Sequence, residues 1–143
     1  MNVNTFSGNP ILEFLPDGRN MRVWTDFKFA DTKRIWIAKK GCIVNGASIP
    51  EQLWSIMGSP FVGLYRNAAI LHDCHCDARI YPWQEVHEMF YHAMLISGVD
   101  KFKAKLMFNG VYFCGPRWDE KGNDIVIPNW DDTFNLDLDL IGG

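Results

Sequence analysis

The 143-residue chain contains no run of the roughly 20 apolar residues that a membrane-spanning helix requires, so no span is expected. Its opening, MNVNTFSGNPILEF, has neither a basic start nor an apolar stretch, which argues against an export signal. Clustered positive charge is missing too. Its 14 Lys and Arg are scattered among 17 Asp and Glu for a net charge of −3, which disfavours a nucleic-acid-binding face. The chain shows no internal repeat, no low-complexity block, no HExxH and no paired CxxC. Cysteine is sparse: Cys42, Cys74, Cys76 and Cys114 lack the spacing of a disulfide framework, and Cys74 and Cys76 are too close for an ordinary bridge. Reduced thiols in a cytosol are the expectation.

What the chain does have is apolar mass. Hydrophobic residues make up 48% and aromatics 14%, with six Trp and ten Phe, enough for a core without a structural crutch and for surplus aromatic surface that suits a partner. One domain over residues 1–143 is expected, mainly β over 1–45, mainly helical over 48–115 and extended over 116–143.

The β expectation rests on RVWTDFKFAD and KRIWIAKKG, two runs rich in β-branched and aromatic residues around a polar corner at Asp31-Thr32-Lys33. Ser48-Ile49-Pro50-Glu51 reads as a capping box opening a short helix that Gly58 closes. Helical spacing then runs from Leu64 to Asp77 through Ala68 and Leu71, and from Pro82 to Ser97 through Val86, Phe90, Ala93 and Met94. A further helix, capped by Asp100, carries Ala104, Met107, Phe108 and Val111 up to Cys114-Gly115-Pro116. The alternation Leu136-Asp137-Leu138-Asp139-Leu140 predicts an edge strand returning to the sheet or an arm on a neighbouring subunit. The fold class is therefore α+β, an N-terminal antiparallel hairpin or sheet packed on three or four helices, with an extended C-terminal segment.

Three of the four histidines fall within residues 68–90. In an antiparallel helical hairpin, residues equally far from the turn lie at one height, because each helix rises ~1.5 Å per residue. His72 stands five residues before Asp77 and His87 five after Pro82, so their imidazoles can face each other. Cys76, one turn after His72, shares its face. His72, Cys76 and His87 would form an N/N/S set suited to zinc, leaving a fourth position for water or Asp73. His75 and His92 fall off this face by roughly 60° or more. Two other readings stand beside it. His72 and Asp73 could simply tie the helices to the β half by hydrogen bonds, or His72 could serve as a general base with a carboxylate partner and Cys76 or water as nucleophile.

The order Gly46-Ala47-Ser48-Ile49-Pro50, Trp54, Gly58-Ser59-Pro60, Ala68-Ala69, Leu71-His72-Asp73, Phe90, Ala93-Met94 and Gly98-Val99 resembles a family of small phage and prophage proteins of unknown function, marked by a GASIP segment followed by an HD pair. The resemblance covers roughly residues 35–118 and implies a bacteriophage or prophage origin. Three positions depart from the family pattern: Asn45 stands where Asp is usual, Cys76 for an aromatic and His87 for an acid. The family's carboxylate-rich site would here be His72, Asp73 and His87, richer in nitrogen.

Two functions follow. The first is a virion structural or assembly protein of the tail or baseplate, contacting other phage proteins or its own copies through aromatic surface and the C-terminal arm. The alternative is a metal-dependent hydrolase of cell-wall peptide or a similar amide, with His72 and Asp73 as catalytic residues and zinc held by His72, Cys76 and His87.

Overall fold

The computed structural model describes residues 1–126. The segment expected to form an arm or edge strand, Asn129 to Gly143, lies outside the described residues.

Among the described residues, six short strands form two three-stranded antiparallel sheets. One is ordered β1 (Thr5–Phe6), β4 (Phe27–Ala30), β5 (Ile35–Ala38), and the other β2 (Leu12–Phe14), β3 (Met21–Val23), β6 (Ile43–Val44). The hairpin around Asp31 forms as expected, with Phe27 opposite Ala38 and Ala30 opposite Ile35. Asp31 builds its corner: Oδ1 accepts from the amides of Lys33 and Arg34, and Oδ2 accepts from Trp36 Nε1 at 2.7 Å. Strand alternation sends Phe27, Phe29, Trp36 and Ala38 inward, where all are at most 2% exposed. The run RVWTDFKFAD is not one strand. It breaks after Val23, and its halves belong to different sheets, because Val23 pairs with Leu12 while Phe27 pairs with Ala38.

Helices α1 (Trp54–Met57), α2 (Arg66–Ala78), α3 (Trp83–Ile96) and α4 (Lys101–Cys114) follow, making the fold α+β. Helix α2 is the hub, packing against both sheets and against α3, which in turn packs on α4. Its residues 68–76 are all buried, so Leu64, which precedes it in a 3-10 turn and is 56% exposed, does not share the expected apolar face. Asp100 caps α4 as predicted, accepting from the Lys103 amide.

The capping box does not exist. The turn Glu51–Leu53 begins after Pro50, which occupies the cap position itself, and no side chain caps it. Ser48 lies two residues too early to reach those amides and is turned instead toward α2, where it joins Asp73 and His72.

The expectation of four reduced cysteines is also overturned. Cys42, on the turn into β6, is bridged to Cys74 on α2, with Cα atoms 6.0 Å apart. The two are 32 residues apart, so no local spacing signals the bridge; it arises because α2 packs against β6. Reduction by a dithiol, or Cys42→Ser, is expected to lower stability by about 3 kcal/mol through the freed entropy of the unfolded chain. Equal denaturation midpoints for oxidised and reduced protein would show the bridge to be incidental.

Candidate metal centre

Helices α2 and α3 are joined by four residues, Arg79 to Pro82, and run back to back. Arg79 closes α2 in the left-handed conformation (φ 53°), held there by bonds from its guanidinium to Cys76 O and Gly122 O and by an ion pair with Asp124. The short turn places His72 and His87 at one height: His72 Nε2 and His87 Nδ1 are 2.8 Å apart, and both residues are fully buried. Cys76 Sγ lies 3.6 Å from His72 Nε2. His72, Cys76 and His87 each offer a ligand atom within 4.8 Å of the others, the set expected from their spacing.

The far side of each imidazole is also engaged. His87 Nε2 is 2.8 Å from the carbonyl of Pro116, an acceptor only, so this nitrogen carries the proton and Nδ1 presents a lone pair. His72 Nδ1 is 3.0 Å from Ser48 Oγ, which donates to Asp73 Oδ1. The Asp73 carboxylate also accepts from the amides of Asn45 at 2.8 Å, Gly46 at 2.6 Å and Ser48 at 3.4 Å. Gly46 is required there. Its φ is +79°, and a Cβ would stand 2.9 Å from Pro60 and 3.1 Å from Trp54.

Counting protons along this chain tests whether a cation fits. Asp73–Ser48, Ser48–His72, His72–His87 and His87–Pro116 are four contacts, each needing one hydrogen. Ser48 and two neutral imidazoles supply three. A fourth proton would make an imidazolium, and burial opposes that: it holds His72 well below the usual histidine range, helped by its neighbour His87, and brings His87 down to about 4. If His72 and His87 both held a cation through their facing nitrogens the count would close, since His72 Nδ1–H would donate to Ser48, Ser48 to Asp73, and His87 Nε2–H to Pro116. The residues therefore fit a cation. Outer partners of this kind fix the tautomer and orientation of ligating histidines. Burial, then the nearby Asp73, push the Cys76 thiol well above its ordinary value, so as a ligand it would ionise only with the metal.

Asp73 is not among the converging ligand atoms; its oxygens serve the loop and Ser48. His92 is exposed, and His75 is buried elsewhere, edge-on to Trp36 with ring centroids 5.1 Å apart. The sequence reading missed Ser48 as a site residue, and it missed the Pro116 carbonyl. The GASIP segment was visible, but a serine three residues before a glutamate carries the same pattern as a cap. A backbone carbonyl leaves no mark in sequence at all.

A cavity of about 420 Å³ borders the centre, lined by Asn45, Ser48, Asp73, Cys76, Arg79 and Pro116 among others. The buried histidines thus lie behind a wall whose outer side is open. Among the described residues no helix is long and apolar enough to cross a membrane.

Comparison with known proteins places the chain. Its residues 21–111 match a family described as "Protein of unknown function (DUF1353)". It is similar to two proteins of Sinorhizobium fredii (strain NBRC 101917 / NGR234): "Uncharacterized protein y4iH", 41% identical over 117 residues, covering 80% of this chain and 49% of that one, and "Uncharacterized protein y4jT", 38% identical over 117 residues, covering 80% and 35%. The chain spans about half the length of the first and about a third of the second. No solved structure matches. A match through both strands of the β4–β5 hairpin, the GASIP loop, α2 and α3 covers every element that builds the centre except the Pro116 turn, and on it the chain belongs to the DUF1353 family of proteins of unknown function.

Proposed function

We propose that the chain is a zinc-dependent hydrolase of phage or prophage origin acting on cell-wall peptide or a similar amide. The carrying observation is the convergence of His72 Nε2, His87 Nδ1 and Cys76 Sγ on one point, with each imidazole's outer nitrogen committed to a partner. His72, Cys76 and His87 would hold the ion, a donor set that suits zinc and leaves a position open. A bound zinc ion would supply Lewis acidity toward water and the substrate carbonyl.

The chain's own residues do the rest. Asp73 orients Ser48, Ser48 accepts the His72 Nδ1 proton, and Pro116 accepts that of His87, which keeps both inner lone pairs directed at the same place. The cavity brings Ser48 and Asp73 to its wall, so Asp73 can take the proton that an attacking water gives up and return it to the departing amine. A purely structural centre would have no use for that opening, and this favours the enzyme over the virion-protein reading.

Protein purified without chelator is expected to carry about one zinc per chain by elemental analysis and to release soluble fragments from purified cell walls. Zinc below about a tenth per chain after reconstitution would remove this reading. A chain found in purified particles and free of metal would favour a virion component.

A further inference from the structure

Three hollows run end to end across the surface. The one over the centre shares Ala47, Ser48 and Pro116 with a second of about 650 Å³, and the second shares Arg19, Glu51 and Trp54 with a third of about 700 Å³. The third is walled by apolar side chains, Phe14, Met21, Phe61 and Val62. Phe14 is paired in register with Met21, which is 6% exposed, yet Phe14 itself is 84% exposed and Val62 67%. The cavity that borders the centre is therefore one end of an open trough, with His72 and His87 buried behind its wall.

The charges at the second junction set what the trough can take. Arg19 donates no hydrogen bond from its guanidinium among the described residues, whereas the other arginines nearby are committed: Arg117 to the carbonyls of Tyr112 and Phe113, Arg79 to Cys76, Gly122 and Asp124. Glu51 shares both hollows with Arg19 and forms no ion pair among the described residues. One cation and one anion that line the same two hollows complement a ligand that presents both a carboxylate and an ammonium. A nucleic acid, with one charge sign throughout, does not fit a mixed junction on a chain of net charge −3.

We infer that the trough binds an extended peptide whose reacting bond lies at the Ser48–Pro116 junction, followed outward by a carboxylate and an ammonium at Arg19 and Glu51 and then by an apolar side chain against Phe14 and Val62. This deepens the hydrolase reading and rests on it for the reacting bond, while the binding order stands on the trough alone. A chain crossing the site is cut internally, so the product is two shorter peptides, water adding its hydroxyl to the acyl fragment and its hydrogen to the amine.

The test is calorimetric binding of acetyl-Ala-Ala-Ala-Glu-Lys-Leu-amide and its reversed-order counterpart to the full chain. Comparison peptides carry Gln for Glu, norleucine for Lys or Ser for Leu. Each replacement is expected to weaken binding of the preferred order about fivefold, the effect of roughly 1 kcal/mol. Arg19→Ala should abolish the Glu/Gln difference alone and Glu51→Gln the Lys/norleucine difference alone. Both residues are exposed, so these variants should keep the wild-type denaturation midpoint. Equal affinity for all peptides, or variants that weaken every peptide alike, would overturn the inference. Selective binding without zinc-dependent cleavage would uphold the trough and sink the hydrolase; zinc-dependent cleavage indifferent to these side chains would do the reverse.

Discussion

Asp73→Ala is expected to lower the stability of the chain by about 4 kcal/mol. The carboxylate is 6% exposed and accepts from three backbone amides, those of Asn45, Gly46 and Ser48, and from the Ser48 hydroxyl. Removing it leaves four donors facing a buried void. An unsatisfied buried donor costs roughly 1–3 kcal/mol, and the sum is reduced because the loop relaxes and Asn45 gains water. The main casualty is the 45–48 loop, which Gly46 holds in a conformation few other residues adopt. Asp73→Asn, retaining one acceptor oxygen, should cost about half as much. Denaturant unfolding with unchanged slope measures both, and a loss under about 1 kcal/mol for the alanine variant would show that the loop is held by something else.

His72→Ala is expected to abolish zinc retention and hydrolysis together. It deletes both the inner nitrogen facing His87 and Cys76 and the outer one joined to Ser48, so no other side chain on α2 replaces it. The cavity should cost about 2–3 kcal/mol, which a core with Phe90, Leu71 and Met94 fully buried around α2 and α3 can bear. His75→Phe is the control. His75 is also buried, at 5% exposure, and three residues away on the same helix, but its ring sits among Trp36 and Tyr81, so metal and activity should persist. Retention of a full zinc complement by His72→Ala would remove the centre from consideration.

Much of this arrangement could be read from the chain before folding was considered. The four-residue α2–α3 connection fixes the relative height of the two helices, and from that alone His72 meets His87. Cys76 follows from one turn of helix. The β4–β5 hairpin and the Asp100 cap are likewise local, each set by residues within a few positions of one another. What escaped was long-range. Ser48 is 24 residues from His72, Asp73 is 27 from Gly46, and His87 is 29 from Pro116. Those contacts depend on where α2 lands against the sheets and how the chain returns after α4, and no periodicity encodes either. The same holds for Cys42 and Cys74, and for the splitting of one apolar run between two sheets.

The left-handed close of α2 at Arg79 has a kinetic consequence. Its guanidinium fastens the turn to Gly122 and Asp124, and Pro116 reaches His87 from the same stretch, so both contacts tie the helical hairpin to the chain beyond α4. Contacts of such sequence separation form late, after loop-closure entropy has been met. His87 would then acquire its fixed tautomer only as folding ends, and under the zinc proposal ion capture would come after it. An ion that binds the finished chain alone, at a hundred times its dissociation constant, deepens the native well by about 2.7 kcal/mol. The Arg79 clasp would thereby make metal supply a determinant of how long each molecule survives proteolysis in the cell.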